Sequence, residues 1–572
     1  MRIARLELHR FRGFEFLEFF PSRHVLLVGE PRAGRTTILD ALRRVLDPAS
    51  TRARPALWDI HYPLAEVPAG EEFPLTSVEV AITDLGDLIE QELDEKLEIL
   101  DPISGALSDD PATGVMGVRV RYCLRYEPVD DSLEHWVEYV RSGIRLSRGH
   151  RELLRAIIID RASPLQLRAE GAFRALAANQ DSDRLNATIT SFGDDIGRAA
   201  DTLAASDAVQ DALKAVAAHG AQFALDVSTD ELVAGVGFTA EDGSVSGLLR
   251  AIQPTLNIDQ AGPIPLAAHG STAAAALAIS EALAASRMDQ SIVILDDFGD
   301  SLDSASADYL ASLLGRPRNQ VWLSTRRPEA LSAFEVEHIA RLTRHTGTPL
   351  VNQLAPTTDK RERVQRRYLP QILAHAMSSR TLILVEGPHD LEGLAALDRK
   401  RHIEAHKAPL SAHSMQIVAA SATGADGGKH RLPVLAALGS SLGFEVRALM
   451  DSDKPGDDDE LIEELKSICD LVISLPNRTA IERALVRGVP TQVLRDSLAR
   501  LNDDHELGLD VDSIDEDRLE ATLTKQLKQK AGLHRSYVIQ LPKGAYPPIA
   551  TSVLRQLKTS PSDVIHVKIA EP

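Results

Sequence analysis

The chain has 572 residues, of which 44% are hydrophobic and 26% are charged, and its formal net charge is −20 at pH 7. This length exceeds what one hydrophobic core usually serves, so about two to four domains are expected. No run of about 18 apolar residues predicts a membrane span, and the charged N-terminus lacks the apolar core of a signal peptide. Two cysteines, Cys123 and Cys469, fit the reducing environment of the cytoplasm.

The negative charge argues against a surface that binds nucleic acid through bulk electrostatics. Local basic clusters exist, and the densest is at residues 360–367. That cluster is either a solvated linker or helix face, or a contact to a DNA backbone. The residues leave both interpretations open.

The first motif is a glycine-rich turn after a strand predicted at residues 24–28. Gly29 and Gly34 are separated by four residues, Arg35, Thr36 and Thr37 follow, and a helical pattern comes next. This is the spacing of a P-loop, whose backbone N–H groups wrap phosphates and whose hydroxyl, here Thr36, holds Mg²⁺. A purely structural glycine turn is the alternative.

Strand and helix patterns alternate after the turn. Strict alternation at 118–126 predicts a strand that pairs in antiparallel fashion with 135–140. An Ala-rich helical region follows at about 164–219, and its apolar residues form a seam for another helix, either from a second subunit or from the same chain. Strands are expected again near 223–227 and 236–239, with a turn at Asp242-Gly243.

A second phosphate-related motif lies at residues 291–297. An apolar strand ends there in Asp296 and Asp297, as a Walker B strand does, so Asp296 would hold Mg²⁺ and Asp297 would orient the attacking water. Ser271 precedes it at the start of an Ala-rich helix, and Ser301-Leu302-Asp303 follows it.

The order of these motifs resembles the ATPase heads of the ABC, RecF and SMC type, with 11–14 as the opening strand motif and Ser271 in the signature loop. The resemblance implies ATP held between the P-loop of one subunit and the signature loop of another, and therefore a homodimer or a larger even homo-oligomer. Three positions depart from the family pattern. Arg35 replaces the lysine, Asp297 replaces a glutamate, and Arg326 replaces the switch histidine, so we expect ATP binding with weak hydrolysis.

A second α/β unit is predicted after residue 380. Its strands at 381–385 and 444–450 end in Glu386 and in the pair Asp451 and Asp453. The carboxyl ends of parallel strands meet at one crevice, and converging carboxylates suit Mg²⁺ or Mn²⁺ and phosphodiester chemistry.

These acids resemble those of the Toprim domain, and further positions match its OLD-family branch of nucleases. The resemblance implies two metal ions in the site and a lysine that stabilises charge on the phosphate. The matching metal positions are Glu386, Asp390, Asp451, Asp453 and Glu482, accompanied by Gly427-Gly428-Lys429 and by Lys543 as the phosphate lysine. From the residues alone, Asp390 is equally a helix cap and Glu482 an ordinary surface helix residue.

The predicted fold is α/β, an ABC/RecF-type P-loop ATPase domain with a helical dimerisation insertion, followed by a Toprim α/β domain. The resemblance implies a metal-dependent DNA endonuclease of the OLD family that is regulated by nucleotide and acts in anti-phage defence. If the chain resembles the GajA subunit of Gabija systems, it also implies a helicase-like partner. The alternative is a nucleotide-controlled DNA-binding or scaffold subunit with little intrinsic turnover. The expected boundaries are 1–163 and 221–345 for the head, 164–220 for the insertion, 346–379 for a linker and 380–572 for the Toprim domain.

Overall fold

The computed structural model describes most of the chain and contains both helices and parallel and antiparallel strands, which confirms the predicted α/β class. Asp453, Gly427, the strand expected at 223–227, residues 237–239 of the strand expected at 236–239, and the turn expected at 242–243 lie outside the described residues. The described chain excludes residues 52–54, 62–72, 160–163, 166, 168–171, 217–227, 237–244, 258–261, 290, 317–318, 346, 368, 422–427, 453–455, 457, 531, 561–564 and 572.

Three larger sheets organise the strands. The strands are β1 Arg2–Phe11, β2 Phe14–Phe19, β3 Val25–Gly29, β4 Thr76–Thr83, β5 Glu98–Leu100, β6 Val115–Glu127, β7 Ser132–Tyr139, β8 Ile157–Ile158, β9 Thr255–Leu256, β10 Ile264–Pro265, β11 Val293–Phe298, β12 Val321–Thr325, β13 Ile339–His345, β14 Thr348–Gln353, β15 Thr381–Val385, β16 Met415–Ala419, β17 Glu445–Met450, β18 Leu471–Ser474 and β19 His566–Lys568.

The helices cover the sheets and connect the parallel strands. They are α1 Arg35–Leu46, α2 Asp87–Glu92, α3 Arg148–Leu153, α4 Ala172–Gln180, α5 Ser182–Ala204, α6 Asp207–Val216, α7 Thr229–Gly235, α8 Val245–Ala251, α9 Ser271–Asp289, α10 Ser304–Leu314, α11 Pro328–Ser332, α12 Lys360–Arg366, α13 Leu369–Leu373, α14 Pro388–Ala405, α15 Gly428–Ser441, α16 Asp459–Lys466, α17 Ile481–Val486, α18 Thr491–His505, α19 Glu516–Gln529, α20 Leu533–Gln540 and α21 Pro548–Gln556.

The first sheet is antiparallel, in the order β2-β1-β4-β6-β5 with β7 on β6. The predicted pairing of β6 with β7 is confirmed, with Val120 opposite Tyr139. Alternate residues of β6 are buried, while Arg119 and Arg121 on the other face pair with carboxylates, Arg119 with Glu98 at 2.8 Å. The alternation in the sequence is therefore the two-faced pattern of an antiparallel strand.

The second sheet has the order β14-β13-β3-β12-β11-β8, and all neighbouring pairs except β14–β13 are parallel. Its central strands β3 and β12 are buried throughout, as expected for a parallel sheet covered on both faces. The glycine loop follows β3, and Asp296 and Asp297 lie near the carboxyl end of β11. Because only β12 separates these two strands, the loop and the acids lie at the same edge of the sheet.

The segment 346–379, expected to be a linker with one helix, begins with a strand of the second sheet. β14 pairs with β13 in antiparallel fashion at the sheet edge. Pro349 obscures this strand in the sequence, yet proline is compatible with an edge strand because that strand leaves one row of N–H groups unpaired. The rest of the segment forms the short helices α12 and α13.

The region 164–220 is helical where it is described, in α4, α5 and α6. The 23-residue α5 has no buried residue, and Leu203 of its apolar seam is 54% exposed. Leu185, Ile189, Phe192 and Ile196 of the seam are partly buried, whereas Ala199 and Leu203 are exposed, so the described part of the chain covers the seam only in part.

The third sheet is fully parallel, in the order β16-β15-β17-β18-β19. A single hydrophobic core runs from the second sheet into the third, and includes Leu354, Leu382 and Val446. One side of each of these two sheets therefore contributes to the shared core, while the other side of each sheet belongs to a further core.

Arg341 of β13 crosses this junction. The guanidinium donates to the backbone oxygens of Met377, Ser379 and Leu442, the last at 2.9 Å, and lies 3.5 Å from the centroid of the Phe444 ring. Its side chain is fully buried, and burial lowers its pKa to about 9 against an opposing contribution from Glu30.

We predict that Arg341→Met lowers the free energy of unfolding by about 3 kcal/mol, because three buried carbonyl oxygens lose their donor. Guanidinium denaturation followed by circular dichroism measures the change. Arg344→Met is the control, since Arg344 lies on the same strand and only donates to the oxygens of Gly347 and Arg32 at the surface. Equal effects of the two substitutions would contradict an anchoring role for Arg341.

Candidate metal centre and nucleotide-binding loop

Glu386 and Asp451 are brought together by strand pairing. Each follows directly on a strand of the third sheet, and those strands, β15 and β17, are hydrogen-bonded neighbours. The backbone N–H of Asp451 donates to Oε1 of Glu386 at 3.1 Å. The sheet edge thus holds the two carboxylates at the distance of adjacent strands.

Two further carboxylates come from helices. Asp390, in the first turn of α14, is 5% exposed, and its Oδ2 accepts the N–H of Gly387 at 2.8 Å. Glu482, in the first turn of α17, is 6% exposed, so it is not an ordinary surface residue. We call Glu386, Asp390, Asp451 and Glu482 the carboxylate cluster.

The carboxylate cluster is electrostatically strained. Burial, together with the charges of Glu386 and Glu482, raises the pKa of Asp390 to about 7, although the N–H of Gly387 opposes the shift. Burial, followed by the charges of Asp390, Glu386 and Glu482, raises the pKa of Asp451 well above its ordinary value. Like-charged groups held this close favour protonation of some members or the presence of a cation.

One oxygen of the carboxylate cluster is unsatisfied within the described residues. Asp451 as a residue is partly exposed, yet its Oδ1 is buried and accepts no hydrogen bond. A buried carboxylate oxygen without a donor is costly unless a cation supplies the missing partner. The oxygen donors of the cluster therefore fit Mg²⁺ or Mn²⁺, which prefer carboxylate ligands.

Two histidines border the cluster, and neither is among the site residues predicted from the sequence. Nδ1 of His389 lies 3.2 Å from Oε1 of Glu482, and Nε2 of His534 lies 4.0 Å from the same oxygen. His389 stands inside the Glu386–Asp390 motif, so its position was visible in the sequence. His534 is on α20, far along the chain, and only the packing of α20 against α14 brings it here.

Of the two lysines predicted for the site, Lys429 lies beside the carboxylate cluster and Lys543 does not. Nζ of Lys429, at the start of α15, lies 2.8 Å from Asp458 and 3.9 Å from Oε1 of Glu386, so its positive charge borders the cluster. Lys543 is exposed, and its charge acts on Glu404 near the opposite end of α14. At about 1.5 Å per residue, Glu404 is roughly 21 Å along that helix from Asp390. The structure therefore does not bring Lys543 to the carboxylate cluster.

The glycine loop joins β3 to α1, as predicted. Gly34 caps α1 with a φ of 100°, and a Cβ at this position would lie 2.8 Å from the ring of Phe14. Gly29 has a φ of 126°, and a Cβ there would lie 2.0 Å from the oxygen of Leu342. Both positions exclude a side chain, and the first turn of α1, with Thr36 and Thr37, opens at the loop. The loop therefore has the shape and the helix N-terminus that phosphate binding requires.

The Walker B acids lie beside this loop. Thr36 Oγ1 is 3.4 Å from Oδ1 of Asp296, which also accepts from the N–H of Asp297 at 3.0 Å. Asp297 adopts a left-handed backbone with φ of 47°, and its Oδ1 is 3.9 Å from Nη2 of Arg326. The four side chains of Thr36, Asp296, Asp297 and Arg326 thus converge on one side of the loop.

The guanidinium of Arg35 lies near Asp296, Asp297 and Arg326, and one of its nitrogens is already hydrogen-bonded to the backbone. Its Nη1 donates to the oxygen of Thr325 at 2.9 Å. Burial, and then the charge of Arg326, lower its pKa from the ordinary arginine value. The charges of Asp297, Asp296 and Asp300 oppose this shift, so the guanidinium groups of Arg35 and Arg326 lie among carboxylates. Ser271, by contrast, is exposed at the start of α9, where Thr272 donates to the oxygen of Ser301 at 2.9 Å.

No protein-family model matches the chain, and no curated protein does. Among solved structures, an SMC head bound to the C-winged helix domain of ScpA is similar over 62% of this chain and 98% of that chain, with 15% identity and a TM-score of 0.35. The SMC head domain from Thermotoga maritima is similar over 62% of this chain and 100% of that chain, with 10% identity and a TM-score of 0.28. These structural neighbours are SMC head domains, and at TM-scores this low they carry no argument about the chemistry of this chain.

Among the helices that the structure describes, none is long and apolar enough to cross a membrane.

We predict a pH dependence of stability in protein freed of metal by a chelator. Because the folded pKa of Asp390, about 7, exceeds the unfolded value of 3.8, the folded state binds the proton more tightly. Its contribution to stability is complete below about pH 4 and is lost as the pH rises through about 7. Melting temperature measured from about pH 5 to 8 should therefore fall less in Asp390→Asn than in wild type. Parallel curves would contradict the burial of an ionisable Asp390.

A second prediction concerns the glycine loop. Gly34→Ala should weaken ATP binding at least about tenfold, because a Cβ at a φ of 100° is strained and meets the Phe14 ring. Titration of a fluorescent ATP analogue measures the affinity. Gly149→Ala is the control, since a Cβ there meets only the Ser147 side chain, at 3.9 Å. Unchanged affinity in a folded Gly34→Ala protein would argue for a purely structural turn.

Proposed function

We propose that the chain is a metal-dependent endonuclease that hydrolyses DNA phosphodiester bonds at the carboxylate cluster and is regulated by ATP bound at the glycine loop. The observation that carries this proposal is the convergence of four carboxylates, including the unsatisfied Oδ1 of Asp451, at the carboxyl edge of a parallel sheet. Acids so arranged are costly to bury without a cation and suit divalent ions that act on phosphate esters.

The residues that would hold two Mg²⁺ or Mn²⁺ ions are the carboxylate cluster and, as a further proposed ligand, Asp453. Bound ions of this kind activate water and stabilise charge on a phosphodiester. The chain itself contributes the fixed positions of the carboxylates and the positive charge of Lys429 at the edge of the cluster. A role of Lys543 at the phosphate stays a prediction only, and the effect of its charge on Glu404, near the other end of α14, does not support it.

The proposed ATP site consists of the loop and the acids beside it. The backbone of Gly29, Gly34 and the following residues would surround the phosphates, and Thr36 with Asp296 would hold Mg²⁺. The acid that would orient water is Asp297, near Arg326, and Ser271 would complete the site from a second copy. Arg35 and Thr37 of the same loop are also proposed to contact the nucleotide.

Regulation by ATP is supported by an ion pair between the glycine loop and the residue that precedes β15. Glu30, the residue after Gly29, is buried and its Oε2 lies 3.6 Å from Nε of Arg380. Arg380 immediately precedes β15, the strand that ends at Glu386. A change in the loop on nucleotide binding would therefore act on the start of β15, the strand that Glu386 of the carboxylate cluster follows.

Two surface features support proposals about assembly and partners. The apolar seam of α5, which the described part of its own chain covers only in part, supports a helical dimerisation insertion and a homodimer or larger even oligomer. The basic helix α12 carries Lys360 and Arg363 and supports contact with a DNA backbone. An anti-phage role in the cytoplasm, with a helicase-like partner as in Gabija systems, is the biological setting that the OLD-family resemblance suggests.

A nucleotide-controlled DNA-binding or scaffold subunit with little turnover is the second candidate. The observation in its favour is the engagement of Arg35 with the oxygen of Thr325, together with the shortened acid at Asp297. Both features argue for a nucleotide that is bound but slowly hydrolysed.

The decisive test is plasmid cleavage with Mg²⁺ or Mn²⁺, with and without ATP. Asp451→Asn should lower the cleavage rate at least about a hundredfold, because it removes charge from the cluster while preserving shape. Asp459→Asn, an exposed acid at the start of α16, is the matched control and should cut like wild type. Wild type that cuts no faster than Asp451→Asn under every condition would exclude the nuclease and favour the scaffold.

A further inference from the structure

A group with nitrogen donors lies at one side of the carboxylate cluster. One donor atom each of His389, Glu482 and His534 lies within 4.8 Å of the others. Oε1 of Glu482 is at the centre of the group, 3.2 Å from Nδ1 of His389 and 4.0 Å from Nε2 of His534. Ligands on one ion, with bonds of about 2.0–2.1 Å, are themselves roughly 3–4 Å apart, so small side-chain shifts would complete such a site.

His534 provides independent evidence for a ligand. Its side chain is fully buried, and neither ring nitrogen has a hydrogen-bond partner within the described residues. Leaving two buried polar atoms unsatisfied costs free energy, and a metal ion on one nitrogen removes part of that cost. The other nitrogen, Nδ1, lies 3.9 Å from Oε2 of Glu392, so this carboxylate adds negative charge beside the ring but is too far away to accept a hydrogen bond.

We propose that His389, Glu482 and His534 form a position for a divalent transition metal, Mn²⁺, Co²⁺ or Zn²⁺ in preference to Mg²⁺. Imidazole nitrogen is a poor ligand for Mg²⁺ and suits Zn²⁺ and other first-row transition metals better, with Mn²⁺ the weakest binder among them. The proposal shares Glu482 with the proposed nuclease site, and it names the metal class which that side of the site takes. Glu482 also influences Asp390 and Asp451, so it links the nitrogen position to the carboxylate cluster.

The competing explanation is packing of two stacked rings. The centroids of His389 and His534 are 4.5 Å apart, and the planes are inclined by 34°. Packing alone explains the ring contact, but it leaves both nitrogens of His534 without partners. The two explanations differ in whether an added metal coordinates imidazole.

The test uses Mn²⁺ as the probe on the full-length protein. Pulsed electron paramagnetic resonance detects the magnetic coupling of imidazole ¹⁴N to bound Mn²⁺ directly, with no dependence on DNA cleavage. Wild type should show this coupling. His389→Ala should lose the coupling of one imidazole, retain at most that of His534, and bind Mn²⁺ at least about tenfold more weakly.

His389→Ala is the primary variant because His389 is only partly buried, whereas His534→Ala removes a fully buried ring and tests folding as well. The matched control is His402→Ala, at an exposed position on the same helix α14, which should leave the coupling and the affinity unchanged. Melting curves show whether each variant is folded.

The outcomes separate this inference from the proposed function. Plasmid cleavage without nitrogen coupling in wild type would overturn the inference and leave the nuclease intact. Nitrogen coupling in a protein that cuts no DNA would support the inference while excluding the nuclease. Coupling that persists at full strength in His389→Ala would overturn the assignment of the ligands.

Discussion

Parallel pairing of β15 with β17 is the constraint on which the proposed active site depends. Both strands run in the same direction and end at the same edge, so the residues that follow them, Glu386 and Asp451, must be neighbours. The pairing forces like charges together at a cost in free energy. That cost is offset by the buried apolar side chains of the strands and of the helices packed on them, which belong to continuous cores.

The same cost makes the site receptive to ligands. A carboxylate cluster that raises the pKa of Asp390 and Asp451 is a place where a cation gains more than it would at a solvated acid. His534 extends this logic to nitrogen, because its buried ring lacks hydrogen-bond partners within the described chain. Function of this kind is built from groups that the fold leaves incompletely satisfied.

The junction between the second and third sheets gives the proposed regulation a physical route. A shared core and the guanidinium of Arg341 hold the sheets together, so they cannot move independently without breaking buried contacts. Glu30 and Arg380 then place the glycine loop beside the start of β15. A nucleotide that favours one arrangement of the loop would thereby favour one position of that strand.

Local pattern in the sequence was sufficient for β3, β6, β7, β11, β15 and β17, for the glycine turn, and for the acids that follow β15 and β17. These features depend on residue type and on spacing, which the chain carries in order: alternation for β6, glycine at Gly34 where the backbone is left-handed, and acids after apolar runs. Tertiary structure alone decided the rest. It placed His534 beside Glu482 and Lys543 away from the cluster, and it drew β14 into a sheet. These are contacts between distant segments, set by how helices pack, and no local spacing encodes them.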